Sequence, residues 1–437
     1  MQSSDASSTT IPIQAVQKPE TVLMLPFSKE TFVHRYLWGQ FWSLIGSNLQ
    51  LSCMAMMIVM LVGKTHGLVL CGDVVAYGYL PGIFLALITG AWLDFVDKRK
   101  VLLWCSWLGA LQASALAVMA WGGAQHITVF EIRIMALISG LITAIDSVNR
   151  NAIMAPMLHD QKNYATTGLI FTSLYNFGMV FGGGCAAYSV RYLGYSGSYF
   201  LDAASFVVLV IQLRRIKLPR QRLDPNLKPG LNLDKISLPK IHEGIRFCWH
   251  KAGLRLSIIL TGLICTFSFS FRSILRVIAE EMFGRGDELY SQFMTWIGVG
   301  ALLGALAAIY FGRKYPKWLV VTGGIICGAS LMLFARATAP LIGNILMFCT
   351  GFGFMSSLST TRAAVGHIAG REYAGRAQGL AITFFFCGVA GGSWALAHFA
   401  KHFGCPAGLL VCGTVTILIS VAMPFMPGAN EIHEFKK

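Results

Sequence analysis

The feature that most constrains this chain is a series of long stretches that contain no Asp, Glu, Lys or Arg. A stretch of 18 or more such residues is long enough to cross a bilayer as one α-helix. Nine of these stretches occur, beginning at Tyr36, Val74, Val101, Tyr164, Leu289, Trp318, Ala337, Ala377 and His402. Three more are apolar but interrupted by charges, at 134–145, 192–213 and 256–278. The series predicts an all-α polytopic membrane protein with twelve transmembrane helices in two six-helix halves.

The composition excludes a soluble enzyme. Of the 437 residues, 55% are hydrophobic and only 13% are charged, and a soluble fold of this length could not bury that much apolar surface. The chain has no glycine-rich phosphate loop that ends in Gly-Lys-Ser/Thr, so we do not expect ATP as the energy source. The eleven cysteines lie mostly inside the apolar stretches without paired spacing, and we expect neither disulfides, nor a metal site, nor a cofactor.

The net charge of +15 is explained by topology. With the N-terminus placed in the cytoplasm, twenty-seven of the 35 Lys and Arg residues fall in cytoplasmic segments and seven fall in outer segments. Because cytoplasmic loops of membrane proteins carry the excess of basic residues, this bias predicts that both termini are cytoplasmic. It also argues against nucleic acid as a partner. The polar start, MQSSDASSTT, is unlike a signal peptide, and we expect residues 1–31 to form a disordered cytoplasmic tail.

The longest polar segment, 214–253, divides the chain into an N-terminal half, 32–213, and a C-terminal half, 254–430. Four prolines keep the first part of this segment extended. Further on, Ile241 and Trp249 recur at helical spacing among basic residues, which predicts an amphipathic helix on the cytoplasmic leaflet.

An internal repeat supports this division. Residues 150–194 and 362–404 each run from an arginine to a glycine and share a similar order of apolar and small residues. The two segments lie at corresponding places in the two halves, which predicts the parallel two-fold repeat of a transporter.

A short polar segment between two apolar stretches, GAWLDFVDKRK, joins a glycine, an acid and a basic cluster. Gly90 and Asp94 are four residues apart and therefore share one face of a helix. The missing side chain at Gly90 allows close helix packing, and a carboxylate at the membrane edge requires a partner. Lys98 and Arg99 place the turn on the cytoplasmic side.

This segment resembles the signature that transporters of the major facilitator superfamily carry between their second and third spans. Gly90, Asp94, Lys98 and Arg99 fall on the matching positions, whereas Asp97 stands where that family usually has a glycine. The resemblance implies the two-half transporter fold and a conformational switch at these residues, and it implies proton coupling as one energy source.

The fourth predicted span in chain order, at 134–145, is followed by Asp146 and Arg150, which can pair on one helix face. In the superfamily, an acid at this place often engages the basic residues of the signature, which implies that Asp146 holds Lys98 or Arg99. A local Asp146–Arg150 pair without a switching role is the alternative.

The fifth stretch contains GMVFGGGCAA, in which Gly178 and Gly182 have the spacing of a close helix crossing. The segment resembles a weakened form of the glycine-rich motif of drug–proton antiporters. That motif has a proline where this chain has Gly183. We therefore expect Gly178 and Gly182 to serve helix packing, and the segment does not by itself indicate antiport.

Arg272 and Arg276 lie on one face of the seventh stretch, in the half of the membrane farther from the cytoplasm. An arginine at this depth requires water, a partner or a ligand. One interpretation is that both bind an anionic substrate, because the guanidinium group matches a carboxylate. The other is an outer gate in which Arg276 pairs with Glu280. Asn48 and Asn176, near the middle of their spans, are further candidates for a substrate pocket.

Several segments narrow the resemblance to the enterobactin-exporter branch of the superfamily: LDAASF at 201–206, EGIRF at 243–247 and RVIAEEMFG at 276–284. This resemblance implies a monomer in the inner membrane of a bacterium that exports a siderophore, for which an anionic chelator is the expected chemical class. An importer with the same fold and a multidrug or lipid transporter are the alternatives.

Overall fold

The computed structural model describes residues 31–92, 96–123, 127–157, 174, 176–216, 238–312 and 314–433. These residues form eleven α-helices: α1 (Thr31–Trp92), α2 (Lys98–Met119), α3 (Val129–Met157), α4 (Ala186–Arg215), α5 (Leu238–His250), α6 (Ala252–Ser268), α7 (Leu275–Phe283), α8 (Asp287–Phe311), α9 (Pro316–Phe334), α10 (Pro340–Phe403) and α11 (Cys405–Ala422). A π-helical turn, Met179–Gly183, precedes α4, and a 3-10 turn, Ser270–Ser273, separates α6 from α7.

Three of these helices fold back on themselves at a glycine. The bends lie at Gly63 in α1, Gly194 in α4 and Gly370 in α10, with φ of 73°, 69° and 70° and ψ near 180°. Positive φ costs glycine nothing and other residues 1–2 kcal/mol or so, which is why the reversal occurs there. The two arms of α1 then run side by side, since Cys71 Sγ lies 3.7 Å from the Ala55 carbonyl oxygen.

Ten helical segments are long and apolar enough to cross a membrane. They are both arms of α1, both arms of α10, and α2, α4, α6, α8, α9 and α11, some extended by a 3-10 turn. Helix α3 has 29 residues, long enough to span, but it carries Glu131, Arg133, Asp146 and Arg150. Much of the predicted fifth span lies outside the described residues. The structure therefore supports a polytopic all-α fold, and the number twelve stays a prediction.

The described helices pack mainly with others from the same side of the linker. Helix α1 packs on α3 and α4, α2 packs on the same two helices, and α10 packs on α6, α8 and α9. The two groups meet where α1 contacts α10 and where the π-helical turn contacts α8. At the first contact, Gly72 of α1 approaches Ala397 so closely that an added methyl group would lie 2.3 Å from the Ala397 Cβ. The absence of a side chain at Gly72 thus allows the two groups to pack closely at this contact.

The internal repeat has a structural counterpart. Both repeated segments end at a glycine with positive φ, 69° at Gly194 and 84° at Gly404, and each glycine precedes a long apolar helix.

Helix α5 packs the described part of the linker against α10. Its Phe247 ring stacks on Tyr373 of α10 at 4.1 Å, whereas Ile245 and Trp249 face outward. An apolar outer face on a helix beside the membrane agrees with the amphipathic helix expected there. Residues 1–30 and 217–237, which include most of the expected tail and the extended linker, lie outside the described residues.

Candidate functional site

The polar segment between the second and third predicted spans forms the start of α2. The Asp97 carboxylate accepts hydrogen bonds from the backbone N–H groups of Arg99, at 3.0 Å, and Lys100, at 3.3 Å. An acid at this position satisfies N–H groups that have no partner within the helix. The residue that departs from the family pattern is therefore the N-cap of α2. Gly90 lies in α1, and Asp94 lies outside the described residues.

Two side chains tie this start of α2 to its neighbours. The Arg99 guanidinium donates from Nε to the Leu213 carbonyl and from Nη2 to the Arg214 carbonyl, both at 2.9 Å. A cation at the last carbonyls of α4 is favourable because those groups carry the negative end of the helix dipole. From α3, the buried Asn149 donates its amide to the Lys98 carbonyl at 2.8 Å. Three helices are thus joined at one point.

Asp146 forms an ion pair with Arg150, one turn further along α3. Of the two alternatives drawn from the sequence, the structure contains this local pair, while Arg99 is engaged by the carbonyls of α4. The side chains of both pair members are largely buried. The hydroxyl of Tyr36 donates to the Arg150 carbonyl at 3.4 Å and connects α1 to the same place.

The glycine-rich segment before α4 faces two different helices. Methyl groups added at Gly178 and Gly182 would lie 2.8 Å from the Leu44 Cβ and 2.3 Å from the Ile45 carbonyl oxygen of α1. Gly184 faces the opposite way, where an added methyl group would lie 2.1 Å from Thr295 Oγ1 of α8. Close approach therefore requires small residues on both faces. The segment packs within its own half through Gly178 and Gly182, and against the other half through Gly184.

The predicted seventh span is not one continuous α-helix. Helix α6 ends at Ser268, a 3-10 turn carries Arg272, and α7 then carries Arg276 and ends at Gly284. Both arginines contact α8, as expected for residues four apart, although the chain between them changes its helical form. A break inside a membrane span exposes backbone groups and is typical of transporter sites.

Arg276 is neutralised by two acids. Its Nη1 lies 2.6 Å from Glu280 Oε2, and its Nε pairs with Asp287 in the first turn of α8. The side chain of Arg276 is only 9% exposed. These contacts agree with the gate interpretation for Arg276. The sequence did not indicate Asp287 as a partner, because it follows the turn at Gly284 and is not at helical spacing from Arg276.

Arg272 has different surroundings. Its Cζ lies 4.7 Å from the centre of the Phe269 ring, and its Nη2 reaches only the Met294 sulfur, at 3.7 Å. The buried Nε has no hydrogen-bond partner, and no carboxylate lies within ion-pair distance among the described residues. A buried N–H donor normally has a hydrogen-bond partner. Arg272 therefore retains binding capacity.

A small cavity of about 40 Å³ lies beside Arg272. Both halves line it, mainly with apolar and aromatic side chains: Met54, Tyr79, Phe269, Tyr290, Met294 and Ser393. The Ser393 hydroxyl is buried and has no partner among the described residues. This volume admits water only, so binding of an organic molecule requires the two halves to separate.

Asn48 and Asn176 do not line this cavity. The Asn48 amide donates to the Leu44 carbonyl of its own helix at 2.8 Å and packs beside Gly182. Asn176 is fully buried and has no hydrogen-bond partner among the described residues. The structure gives no geometric support for placing either residue beside Arg272.

A second arginine, Arg362 of α10, lies near the same aromatic side chains. Its Cζ is 4.9 Å from the centre of the Phe385 ring, and the Phe385 and Phe269 rings are 6.1 Å apart. The sequence identified Arg362 only as the start of the repeated segment. Within the described residues, no group of three or more His, Cys, Asp or Glu side chains could hold a metal ion.

Two groups of helices that meet at a central cavity, with a broken helix beside it, are typical of secondary transporters. A family model described as transmembrane secretion effector matches residues 22–434. The chain belongs to this family of the major facilitator superfamily, and it is a transporter rather than an enzyme.

Curated relatives agree with this class. The chain is 23% identical over 389 residues to the multidrug efflux pump Tap of Mycolicibacterium fortuitum, covering 85% of this chain and 91% of that protein. It is also 23% identical over 390 residues to macrolide efflux protein A of Streptococcus pyogenes, covering 86% and 91%.

Solved structures show the same fold. The chain superposes on a D-xylose-proton symporter with a TM-score of 0.68 and 14% identity, covering 92% of this chain and 97% of that one. It superposes on a POT family transporter with a TM-score of 0.67 and 15% identity, covering 90% and 95%. The superfamily prediction is confirmed, and the narrower enterobactin-exporter branch stays a prediction.

Proposed function

We propose that this chain is a secondary transporter that exports a small organic molecule from the bacterial cytoplasm by alternating access. The observation that carries this proposal is the cavity that both halves line beside Arg272. Polar side chains that converge on an apolar cavity at a seam between domains are typical of a ligand site. The printed names of the relatives, which describe efflux proteins, support the outward direction.

The proposal includes the arrangement drawn from the sequence. Twelve spans in two halves, 32–213 and 254–430, would lie in the inner membrane with both termini in the cytoplasm. A monomer is sufficient, because one chain supplies both walls of the cavity. Proton coupling is adopted from the superfamily.

The junction at the start of α2 is proposed as the conformational switch. Arg99, Asn149 and the Asp146–Arg150 pair join α2, α3 and α4 at one place, so movement of one helix is transmitted to the others. Gly90, Asp94 and Lys98 complete this switch by resemblance.

Cellular accumulation tests the export proposal. Cells that express the wild-type chain should retain less of a fluorescent drug-like dye, such as fluorescein loaded as its diacetate, than cells with an empty vector. Arg272→Gln should restore retention, and Arg285→Gln, at an exposed arginine, should not. Equal retention of every compound tested by wild-type and empty-vector cells would contradict export of drug-like molecules.

A siderophore remains a second candidate substrate, because the unpaired Arg272 guanidinium suits a carboxylate-rich chelator. In a strain that lacks this chain and is grown without iron, chelator should fall in the culture medium and rise inside the cells. Normal secretion with failed uptake of the loaded chelator would identify an importer. No change in either would remove siderophores from consideration.

A further inference from the structure

Two arginines from different spans lie against one group of aromatic rings in the middle of the molecule. Arg272 lies over Phe269 at 4.7 Å, and Arg362 lies over Phe385 at 4.9 Å. The two rings are 6.1 Å apart and are tilted by 54°. The order in space is therefore arginine, ring, ring, arginine. We call Arg272, Phe269, Phe385 and Arg362 the arginine–phenylalanine stack.

The stack runs along the direction of transport. Arg362 precedes the bend at Gly370 by roughly 12 Å of helix at ~1.5 Å per residue. Arg272 belongs to the segment that leads to the turn at Gly284, on the opposite side of the membrane. In the orientation proposed above, Arg362 lies nearer the cytoplasm and Arg272 nearer the outside.

Stacking on a ring leaves the edge of a guanidinium group directed toward an anion. A ring covers one face of a guanidinium group, whereas the N–H donors lie in its plane and point past the edge of the ring. A sulfonate or carboxylate can therefore be held at the edge while the rest of the ligand packs on the phenylalanine. The Ser393 hydroxyl, buried beside Arg272 and without a partner among the described residues, supplies a further donor.

The surroundings also select against cations. None of the described residues that line the cavity is acidic, and Arg272 supplies a positive charge. Tyr79 adds to the aromatic wall, since its ring lies 6.2 Å from Phe385. A ligand with a planar body gains stacking contacts here, and a negative group gains charge-assisted hydrogen bonds.

We infer that the transported substrate is an aromatic organic anion, which Arg362 binds from the cytoplasm and the Phe385–Phe269 ring pair passes to Arg272. This inference rests on the proposed export function and specifies its substrate class. Each arginine holds the anionic group in one of the two access states, so removal of either one impairs the full cycle.

The test uses the purified full chain in proteoliposomes and measures counterflow, which requires no knowledge of the coupling ion. Three permanently charged probes separate the contribution of the negative charge from that of the aromatic ring. They are 2-naphthalenesulfonate, cyclohexanesulfonate and (2-naphthylmethyl)trimethylammonium. We expect the wild-type chain to exchange naphthalenesulfonate at least tenfold faster than the ammonium probe. Arg272→Gln and Arg362→Gln should each lower that rate at least tenfold, and Arg285→Gln should stay within twofold of wild type.

The ring pair has its own variant. Phe385→Leu should lower exchange of naphthalenesulfonate and leave cyclohexanesulfonate within twofold of wild type. Each variant is first checked for a single symmetrical peak in size-exclusion chromatography. If Arg362→Gln does not fold, Arg362→Lys, which keeps the charge and loses the planar fork, should give an intermediate rate.

Wild-type rates of naphthalenesulfonate exchange in folded Arg272→Gln and Arg362→Gln would overturn the inference. Preference of the wild-type chain for the ammonium probe would also overturn it and leave the export function intact. Failure to exchange any probe, together with unchanged drug retention in cells, would contradict the export function itself.

Discussion

Arg272 and Arg276 are four residues apart in the same predicted span, yet the structure treats them in opposite ways. Arg276 lies between Glu280 and Asp287 and is neutralised. Arg272 lies over Phe269 and beside the Met294 sulfur, with a buried Nε that has no partner. The ion pair between Arg276 and Asp287 joins α7 to α8. Arg272, which forms no ion pair among the described residues, lines a cavity. The partners of these two charges, and not their depth in the membrane, therefore distinguish the arginine that stabilises the fold from the arginine proposed to bind a ligand.

The two copies of the internal repeat differ in the residue that lies one turn before their arginine. Arg150 of the first copy pairs with Asp146, and the corresponding Arg362 of the second copy has Leu358 in place of the acid and lies over Phe385. In each case the arginine that has no acid four residues before or after it in the sequence lies against an aromatic ring. Divergence between the two copies has thus left a cation beside the central rings.

The largest effect is expected from Arg276→Met. The change leaves Glu280 and Asp287 without their shared cation, and both are only partly exposed. We expect the free energy of unfolding to fall by about 2–3 kcal/mol, between the values for exposed and buried pairs. Thermal unfolding followed by size-exclusion chromatography measures this loss. Glu280→Gln, which keeps Asp287, is the control with a smaller loss, and native stability of Arg276→Met would contradict the structural role.

Arg272→Gln should have the second largest effect, on transport rather than on stability. A charge-assisted hydrogen bond contributes about 1.5–3 kcal/mol, which corresponds to a loss of transport efficiency of roughly tenfold to a hundredfold. Because no ion pair is broken among the described residues, the unfolding temperature should stay at the wild-type value or rise. A variant that unfolds early and transports normally for each folded molecule would reverse the comparison.

Asp146→Asn should give a smaller effect of another kind. The amide keeps an oxygen acceptor for Arg150 but removes the countercharge, and we expect a loss of about 1–2 kcal/mol of stability. If the pair also serves the switch, the maximal transport rate should fall while the substrate concentration at half-maximal rate is unchanged. Kinetics of uptake into everted vesicles measures both quantities. A wild-type maximal rate would limit Asp146 to a structural role.

Met294→Leu should have the smallest effect. Leucine has nearly the same volume and removes only the weak contact between the sulfur and Arg272 Nη2. We expect less than a twofold change in transport and a stability change below about 1 kcal/mol. A large loss of transport would show that the sulfur orients Arg272, and Arg272 could then no longer be described as free of structural partners.

Much of the fold could be predicted from the sequence because the apolar stretches have to be helical in a bilayer. Contacts between side chains at helical spacing could also be predicted, as for Asp146 with Arg150 and for Arg276 with Glu280. Asp287 was not, because its contact with Arg276 depends on how the chain turns at Gly284. Phe385 is separated from Arg362 by the bend at Gly370, and it reaches that arginine only after α10 has folded back. Pairings of that kind depend on tertiary packing, which spacing does not encode.

The most direct measurement is the affinity of 2-naphthalenesulfonate for the purified transporter, measured by isothermal titration calorimetry on the wild-type chain, Arg272→Gln and Arg276→Met. The account predicts that the Kd rises at least tenfold in Arg272→Gln, and that the folded fraction of Arg276→Met binds as the wild-type chain does. An unchanged Kd in folded Arg272→Gln, or loss of binding only in Arg276→Met, would contradict the assignment of binding to the unpaired arginine.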